Sequence, residues 1–281
     1  MTTLLIDSNA VCHRARHAMK GSNLSHDEMK TEVIFSFMNQ IYTLAQRFET
    51  NQFVFVWDSR ESLRRKIYPD YKRKKKEKTQ EDIDFDNLTM PQFDRIRQEV
   101  LPALGFNNIF LKEGYEADDV IAALTMKHEG KFTIVSRDND LYQLLLYADM
   151  YDPQTKRLQT KMTFFRQFGV GPGKWATVKA ISGCVSDNIR GVNRVGDSTA
   201  IKYIKGKLKP EAKTLQAIKD SQELIQFNMK LVKLPFNNMS WKLDLSEDEL
   251  TSRKFLETFT KLGFRTFLSE MSEWERLFEL R

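Results

Sequence analysis

The chain has 281 residues, 41% hydrophobic and 29% charged, enough to bury a sizeable core in one large domain or two modest ones. No apolar run approaches the roughly 20 residues that a membrane helix needs, and residues 1–7 lack the basic region of a signal peptide, so neither a membrane span nor secretion is expected. The net charge of +6 favours an acidic partner. The chain has only two cysteines, Cys12 and Cys184, which are far apart in sequence, and this favours a reducing, cytoplasmic setting.

Short β-rich runs alternate with amphipathic helical segments over the first 160 residues. The predicted strands cover residues 4–6, 53–57, 108–111, 132–135 and 149–151, and the predicted helices cover 31–47, 90–104 and 119–128. This alternation predicts an α/β fold, in which a mostly parallel sheet is flanked by helices on both faces.

A long insertion, dense in positive charge, follows the second predicted strand. Residues 60–78 contain ten Lys or Arg and three acidic residues. Such a segment attracts phosphate by releasing counterions, although a solvated surface loop has the same composition. Together with residues 81–88, it is expected to be irregular.

The strand signal fades beyond residue 160, where short helical stretches broken by glycine follow. We therefore predict an α/β core over residues 1–160 and a helical region over residues 161–281.

Acidic residues lie at or just beyond the ends of four predicted strands. They are Asp7, Asp58, the group Glu116, Asp118 and Asp119, and the pair Asp138 and Asp140. Because the carboxyl ends of parallel strands share one edge of a sheet, these side chains are expected to converge.

Converging carboxylates repel one another unless cations intervene. Oxygen ligands without His or Cys favour Mg²⁺ or Mn²⁺ over zinc, and two such ions would suit phosphoryl transfer. Helix capping or a turn explains any single acidic residue equally well, but it does not explain acids at every strand end.

Three motifs make the chain similar to a known family. They are Glu-Ala-Asp-Asp at 116–119, Ser-Arg-Asp-Asn-Asp-Leu at 136–141 and Ser-Asp-Asn-Ile-Arg-Gly-Val at 186–192. From Leu4 to about Lys205 the chain resembles the 5′-nucleases, which include bacteriophage flap endonucleases and the 5′-nuclease domain of bacterial DNA polymerase I. The resemblance implies a PIN-like core, an arch near residues 64–94 and a helix-hairpin-helix-type (H3TH) element near residues 174–206.

The resemblance also implies two Mg²⁺ sites, in which Mn²⁺ can substitute. The first is assigned Asp7, Asp58, Asp118 and Asp119, the second Asp138, Asp140 and Asp187, with Glu116 between them. Relatives carry Asp at the position of Cys184, so the second site is expected to bind its ion more weakly.

Residues 71–75 match a stretch that contacts the scissile phosphate in relatives. The predicted DNA contacts there are Tyr71, Lys72, Arg73, Lys74 and Lys75. Lys72 is the first choice for a catalytic cation and Lys75 the second, beside the catalytic carboxylates Asp118 and Asp138.

The stretch 191–196 resembles the hairpin that holds duplex backbone, with contacts predicted at Gly191, Val192, Gly196 and Lys202. Relatives bind K⁺ there through carbonyl groups. A plain helix end followed by a turn is the alternative interpretation.

The implied function is that of a structure-selective 5′-nuclease, a 5′-3′ exonuclease and flap endonuclease in replication, primer removal or repair. It would act as a monomer on branched or 5′-flap DNA and on RNA–DNA hybrids, with replication proteins as partners, and in the host cytoplasm if phage-encoded. Two alternatives stay open: a catalytically weak protein that binds branched DNA, and a PIN-type ribonuclease, against which the hairpin argues.

Overall fold

A computed structural model describes residues 1–22, 24–27, 29–73, 77–238, 241 and 243–280. The strands are β1 (Thr3–Asp7), β2 (Ser25–His26), β3 (Met29–Lys30), β4 (Phe53–Trp57), β5 (Ile109–Leu111), β6 (Phe132–Val135), β7 (Asp149–Asp152), β8 (Arg157–Gln159), β9 (Gly183–Cys184) and β10 (Ile189–Arg190).

The α-helices are α1 (Ser8–Ala18), α2 (Glu32–Phe48), α3 (Leu63–Ile67), α4 (Gln80–Arg95), α5 (Leu101–Leu104), α6 (Ala117–Lys127), α7 (Lys161–Phe168), α8 (Trp175–Ser182), α9 (Asp197–Ile204), α10 (Lys213–Asp220), α11 (Gln222–Val232), α12 (Ser252–Lys261), α13 (Arg265–Ser269) and α14 (Met271–Phe278). A π-helical turn (Ile96–Val100) joins α4 to α5, and 3₁₀ turns occur at Asn139–Leu144 and Pro172–Lys174.

The chain forms two compact units, each discontinuous in sequence. The first unit comprises residues 1–57, 76–111 and 243–281, and the second comprises 58–75 and 112–242. The predicted boundary near residue 160 assumes two domains that are each continuous in sequence, and it stays a prediction.

In the first unit, three parallel strands are paired in the order β5-β4-β1. Leu4 is paired with Phe53, and Phe55 with Ile109. Every residue of β4 is buried, as expected for a parallel strand covered on both faces. Helix α2 buries Val33, Phe37 and Ile41 at helical spacing.

Residues 243–280 complete the core of this unit. Trp274 is fully buried, and its ring lies 5.9 Å from Phe255 and 5.3 Å from Phe278, centroid to centroid. Phe278 stacks in turn 5.9 Å from Phe53 of β4. Gly105 has φ +98°, and a Cβ there would lie 2.2 Å from the carbonyl oxygen of Glu249, so only glycine lets the two segments approach.

In the second unit, β6 and β7 are parallel and β8 is antiparallel to β7. Helix α11 packs on α8, where the buried amide of Asn228 donates 2.9 Å hydrogen bonds to the carbonyls of Ala180 and Arg190. This contact fixes the β9–β10 hairpin relative to α11, because Arg190 belongs to β10.

The predicted fold class is confirmed, because the main strands are mostly parallel and are flanked by helices. The strands at 53–57 and 132–135 lie within their predicted bounds. In contrast, residues 81–88 are helical rather than irregular. The cause is a capping box in which Thr79 and Asp82 exchange hydrogen bonds and start α4. No helix in the described part of the chain is both long and apolar enough to cross a membrane.

Trp274→Ala is expected to lower the free energy of unfolding by about 3–5 kcal/mol, because it leaves a large cavity in the aromatic core. Trp274→Phe is the matched control. Among the described residues the buried indole N–H has no hydrogen-bond partner to lose, so this change should cost clearly less. Urea unfolding of both variants checks the prediction, and an alanine variant as stable as its parent would contradict it.

Candidate metal centre

Glu116 lies at the centre of the polar cluster in the second unit. Its Oε2 accepts a 2.8 Å hydrogen bond from the Tyr71 hydroxyl and a 3.0 Å bond from Lys72 Nζ. Burial would raise the pKa of Glu116, but the charges of Lys72 and Arg64 outweigh it, so the pKa lies below its ordinary value. Glu116 is therefore ionised and already partly neutralised by the chain's own cations.

Tyr71 and Lys72 connect Glu116 to Asp187. The Tyr71 hydroxyl lies 3.4 Å from Asp187 Oδ2, and Lys72 Nζ lies 3.8 Å from Asp187 Oδ1. Burial raises the pKa of Tyr71, which keeps its proton for donation. Burial would lower the pKa of Lys72, but Glu116, Tyr71 and Asp187 raise it overall, so the ammonium stays charged.

Asp119 forms a buried ion pair with Arg64. The guanidinium donates to both carboxylate oxygens, at 2.6 and 2.8 Å, and its Nε donates to the carbonyl of Leu231 at 2.9 Å. The N–H of Phe236 also donates to Asp119 Oδ1, at 2.8 Å. Both oxygens of this predicted metal ligand are thus engaged within the chain, and its assignment to an ion stays a prediction.

Asp58 and Asp118 stand at the start of α6. Asp58 Oδ1 accepts a 2.8 Å hydrogen bond from the N–H of Ala117, the first residue of the helix. Burial nevertheless raises the pKa of Asp58. Asp118 is partly exposed and contributes to the raised pKa of Lys72. The second unit therefore brings Asp58, Glu116 and Asp118 to one helix terminus.

Asp140, Cys184 and Asp187 form a second group, whose potential ligand atoms all lie within 4.8 Å of one another. Burial and repulsion from Asp138 raise the pKa of Asp140 to about 6, although Lys179 Nζ lies 3.3 Å from its Oδ1. Burial also raises the pKa of Asp187. The structure thus unites these predicted residues, with Asp138 exposed beside them.

Cys184 is a protonated thiol in this group. Burial, with Asp140 and Asp187, raises its pKa to about 11. Its Sγ lies 2.9 Å from the Ser186 hydroxyl oxygen, within hydrogen-bonding distance. A neutral, soft sulfur is a poor ligand for a hard cation.

Asp7 belongs to the first unit. It ends β1, is 7% exposed, and its Oδ1 accepts a 3.0 Å hydrogen bond from the N–H of Ala10 at the start of α1. Burial, with Asp7 nearby, raises the pKa of the Cys12 thiol. The assignment of Asp7 to an ion stays a prediction.

The donors of the second unit fit hard divalent cations. Carboxylate oxygens dominate, and burial raises the pKa values of Asp58, Asp140 and Asp187 by more than the neighbouring lysines lower them. Cys184 is the one member of the second group that does not match this chemistry.

The predicted duplex contacts follow the β9–β10 hairpin: Gly191, Val192 and Gly196 lie between β10 and α9, and Lys202 lies on α9. A Cβ on Gly191 would lie 2.1 Å from the carbonyl oxygen of Ser182, so close backbone packing alone requires glycine there. Val192 is buried, and its N–H donates to Ile181. Around Gly196 the corresponding space is open, and Lys202 is exposed. The duplex contacts stay predictions, and Lys74 and Lys75 lie outside the described residues.

Sequence reasoning missed three polar residues that shape this site. Arg64 and Lys179 supply cations, and Asn188 joins the turn after Cys184 to residue 70. Arg64 lies within a run of basic residues, and nothing in the sequence distinguishes it from its neighbours. Nothing in the local sequence of Lys179, a single lysine on a helix, or of Asn188, in a loop, indicates these contacts.

Arg64→Met is expected to lower the free energy of unfolding of the metal-free protein by about 3–5 kcal/mol, because it leaves the buried charge of Asp119 without its cationic partner. The double variant Arg64→Met/Asp119→Leu should regain much of the loss. Arg253→Met, which breaks an exposed pair with Glu257, is the control and should leave stability unchanged. Equal stability of Arg64→Met and parent in urea would refute the buried pair.

A family model for the N-terminal resolvase-like domain of 5′-3′ exonucleases matches residues 2–169. A 5′-3′ exonuclease of Bacillus subtilis is 32% identical over 213 residues, covering 72% of this chain and 69% of the relative. DNA polymerase I of Deinococcus radiodurans is 33% identical over 254 residues, covering 82% of this chain. This chain spans only 25% of that polymerase, and 32% of the Thermus aquaticus enzyme.

Solved structures share the fold. A bacteriophage T5 flap endonuclease, solved with DNA and metal ions, has a TM-score of 0.71 at 20% identity, covering 97% of this chain and 98% of that one. A flap endonuclease from Methanococcus jannaschii has a TM-score of 0.58 at 13% identity, covering 99% and 92%. The match to the family model and the similarity to the Bacillus subtilis protein lead to one conclusion: this chain belongs to the 5′-3′ exonuclease family.

Proposed function

We propose that the chain is a metal-dependent, structure-selective 5′-nuclease, with 5′-3′ exonuclease and flap endonuclease activity. The observation that carries the proposal is the bridge made by Tyr71 and Lys72. It joins Glu116, next to Asp58 and Asp118, to Asp187 of the second acidic group. The Lys72 ammonium thus lies between carboxylates that could hold divalent ions. This arrangement suits phosphodiester hydrolysis, in which positive charge and divalent ions around the phosphate stabilise its negative charge.

Within the second unit, we assign the first Mg²⁺ site to Asp58 and Asp118, and the second to Asp138, Asp140 and Asp187. Glu116 stands between them. Both oxygens of Asp119 already accept hydrogen bonds, so an ion there would have to displace one of the present donors. Bound divalent ions supply Lewis-acid chemistry, which polarises the phosphodiester and acidifies water. Mn²⁺ satisfies the same oxygen donors and would substitute.

Lys72 supplies the positive charge of this bridge. Its raised pKa keeps it protonated throughout the working range of pH. With Glu116 and Asp187 as neighbours, the ammonium can exchange a carboxylate partner for a phosphate oxygen. The basic neighbours Arg73, Lys74 and Lys75 then serve substrate binding, with Lys75 the second choice for the scissile phosphate.

Duplex binding is assigned to residues 191–196 and to Lys202 on α9. The open space at Gly196 and the exposed Lys202 are available to phosphate, and backbone carbonyls of residues 191–196 would hold K⁺. The 64–94 insertion would act as the arch that admits a single strand. The T5 relative, solved with DNA, supports a branched or 5′-flap DNA substrate.

The cellular setting is inferred from this activity. We infer a monomer that works in the cytoplasm with replication proteins, removing primers or repairing DNA, including the RNA strand of RNA–DNA hybrids. Cys184 favours one alternative, a protein of the same fold that binds branched DNA but cuts it weakly.

Asp138→Asn is expected to abolish cleavage of a labelled 5′-flap substrate in Mg²⁺ while leaving binding largely intact. The change removes the charge of a ligand with little change of shape, and the basic DNA contacts persist. Asp220→Asn, on an exposed surface of α10, is the control and should cut like the parent. Normal turnover by Asp138→Asn, or cleavage by the parent in EDTA, would overturn the metal-dependent mechanism.

Cys184→Asp is expected to lower the Mg²⁺ concentration for half-maximal flap cleavage, because it replaces a neutral thiol with a hard oxygen ligand. In the parent, Mn²⁺ should support cleavage at lower concentration than Mg²⁺. Cys12→Ser, which changes the other buried thiol, is the control for loss of a cysteine. Identical Mg²⁺ titrations for Cys184→Asp and the parent would mean that the second site is not weakened.

A further inference from the structure

The loop that carries Lys72 is tied to the turn that carries Asp187 by three hydrogen bonds. The Lys72 N–H donates to the Asp187 carbonyl at 2.9 Å. The Asn188 side-chain amide donates to the Asp70 carbonyl at 3.0 Å, and the Tyr68 hydroxyl donates to the Asn188 carbonyl at 3.0 Å. Asn188 takes part in two of the three bonds, and it contributes the one side-chain amide.

Both sides of this tie contain a residue in the left-handed region. Lys72 has φ +50° and Asn188 has φ +60°. Asparagine tolerates this region because its short polar side chain bonds locally, but lysine gains nothing comparable. Left to itself, the backbone at Lys72 would relax to a right-handed or extended conformation. The hydrogen bonds to the 187–188 turn are what hold it.

The backbone conformation at Lys72 decides where its ammonium lies. A lysine side chain is long and flexible, so its charged end is placed only as well as its Cα is. Here the ammonium lies 3.0 Å from Glu116 and 3.8 Å from Asp187. A shift of about 1 Å in such a group can cost on the order of 10²-fold in rate.

Resting on the proposed nuclease function, we propose that Asn188 is a positioning residue. Its amide holds the Asp70 carbonyl and thereby the left-handed backbone at Lys72, which keeps the Lys72 ammonium between Glu116 and Asp187. Asn188 acts through Lys72 and contacts none of the carboxylates itself in the described hydrogen bonds.

A role in stabilising the fold alone is a weaker explanation for the contacts of Asn188. Asn188 is half-buried and fills no part of the core. The loop is already anchored by Tyr71, which packs with Cys184, Ile189 and Leu231 in an apolar cluster that Tyr68 adjoins. Loss of a single hydrogen bond should therefore leave the fold intact and loosen only the position of Lys72.

Asn188→Gly tests the proposal, because glycine accepts the same positive φ and removes only the side chain. Single-turnover cleavage of a 5′-flap in Mg²⁺ should slow by about 10- to 100-fold, while the Kd for DNA in Ca²⁺ changes less than about twofold. Asn238→Gly is the matched control. It also has a positive φ, and it loses an exposed hydrogen bond from Lys233, so its rate should equal the parent's.

A double-variant cycle separates positioning from an independent effect. In the Lys72→Ala background, Asn188→Gly should slow cleavage no further, because the group that it positions is gone. The same fold-loss in both backgrounds would overturn the proposal, as would a loss confined to Kd. An unchanged rate for Asn188→Gly in the parent background would also overturn it. Asn188→Asp, which keeps the shape but removes the donor, should behave like the glycine variant.

Amide hydrogen exchange gives a readout that does not depend on cleavage. Exchange of the Lys72 N–H should accelerate in Asn188→Gly but not in Asn238→Gly. Unchanged exchange would refute the tie even if the parent cuts DNA. A parent that does not cut, together with accelerated exchange, would refute the nuclease function and leave the tie established.

Discussion

A carboxylate removed from water is costly to keep charged, and this desolvation is the constraint around which the second unit is arranged. Burial raises the pKa values of Asp58, Asp140 and Asp187, whereas Lys72 and Arg64 bring that of Glu116 below its ordinary value. The chain therefore neutralises one part of its acidic cluster with its own cations. The remaining carboxylates are poorly solvated and only partly offset by Lys72 and Lys179, and that is where divalent ions would stabilise the fold as well as act on a phosphodiester.

The same polar contacts link segments that are far apart in sequence. Arg64 binds Asp119 at the start of α6 and the Leu231 carbonyl at the end of α11, and Asp119 also accepts from Phe236. The turn at Asn188 holds the loop before Lys72. A change in any of these contacts would therefore move a carboxylate or a cation of the candidate site. Lys72 and Asn188, beside the proposed site, are among the non-glycine residues that adopt a positive φ.

Much of the fold could be read from the sequence, because apolar runs such as residues 53–57 and 132–135 specify buried strands locally. The acidic residues were found for the same reason, since Asp58 follows directly on such a run. The pairing of Arg64 with Asp119 and Leu231 could not be read, because partners 55 and 167 residues apart leave no local pattern. Thr79 and Asp82 did offer a local signal for α4, but the charge of the surrounding run obscured it. The C-terminal aromatics carry no motif, and only the packed structure reveals that Trp274 and Phe278 complete the core.

We propose that two divalent ions bind the carboxylates of the second unit while Asp119 stays paired with Arg64. Anomalous diffraction from crystals grown with saturating Mn²⁺ tests it directly. Two peaks are expected, one within bonding distance of Asp58 or Asp118 and one within bonding distance of Asp140 or Asp187, with the Arg64–Asp119 hydrogen bonds intact. A peak bonded to Asp119 with Arg64 displaced, or no peak at either group of carboxylates, would contradict it.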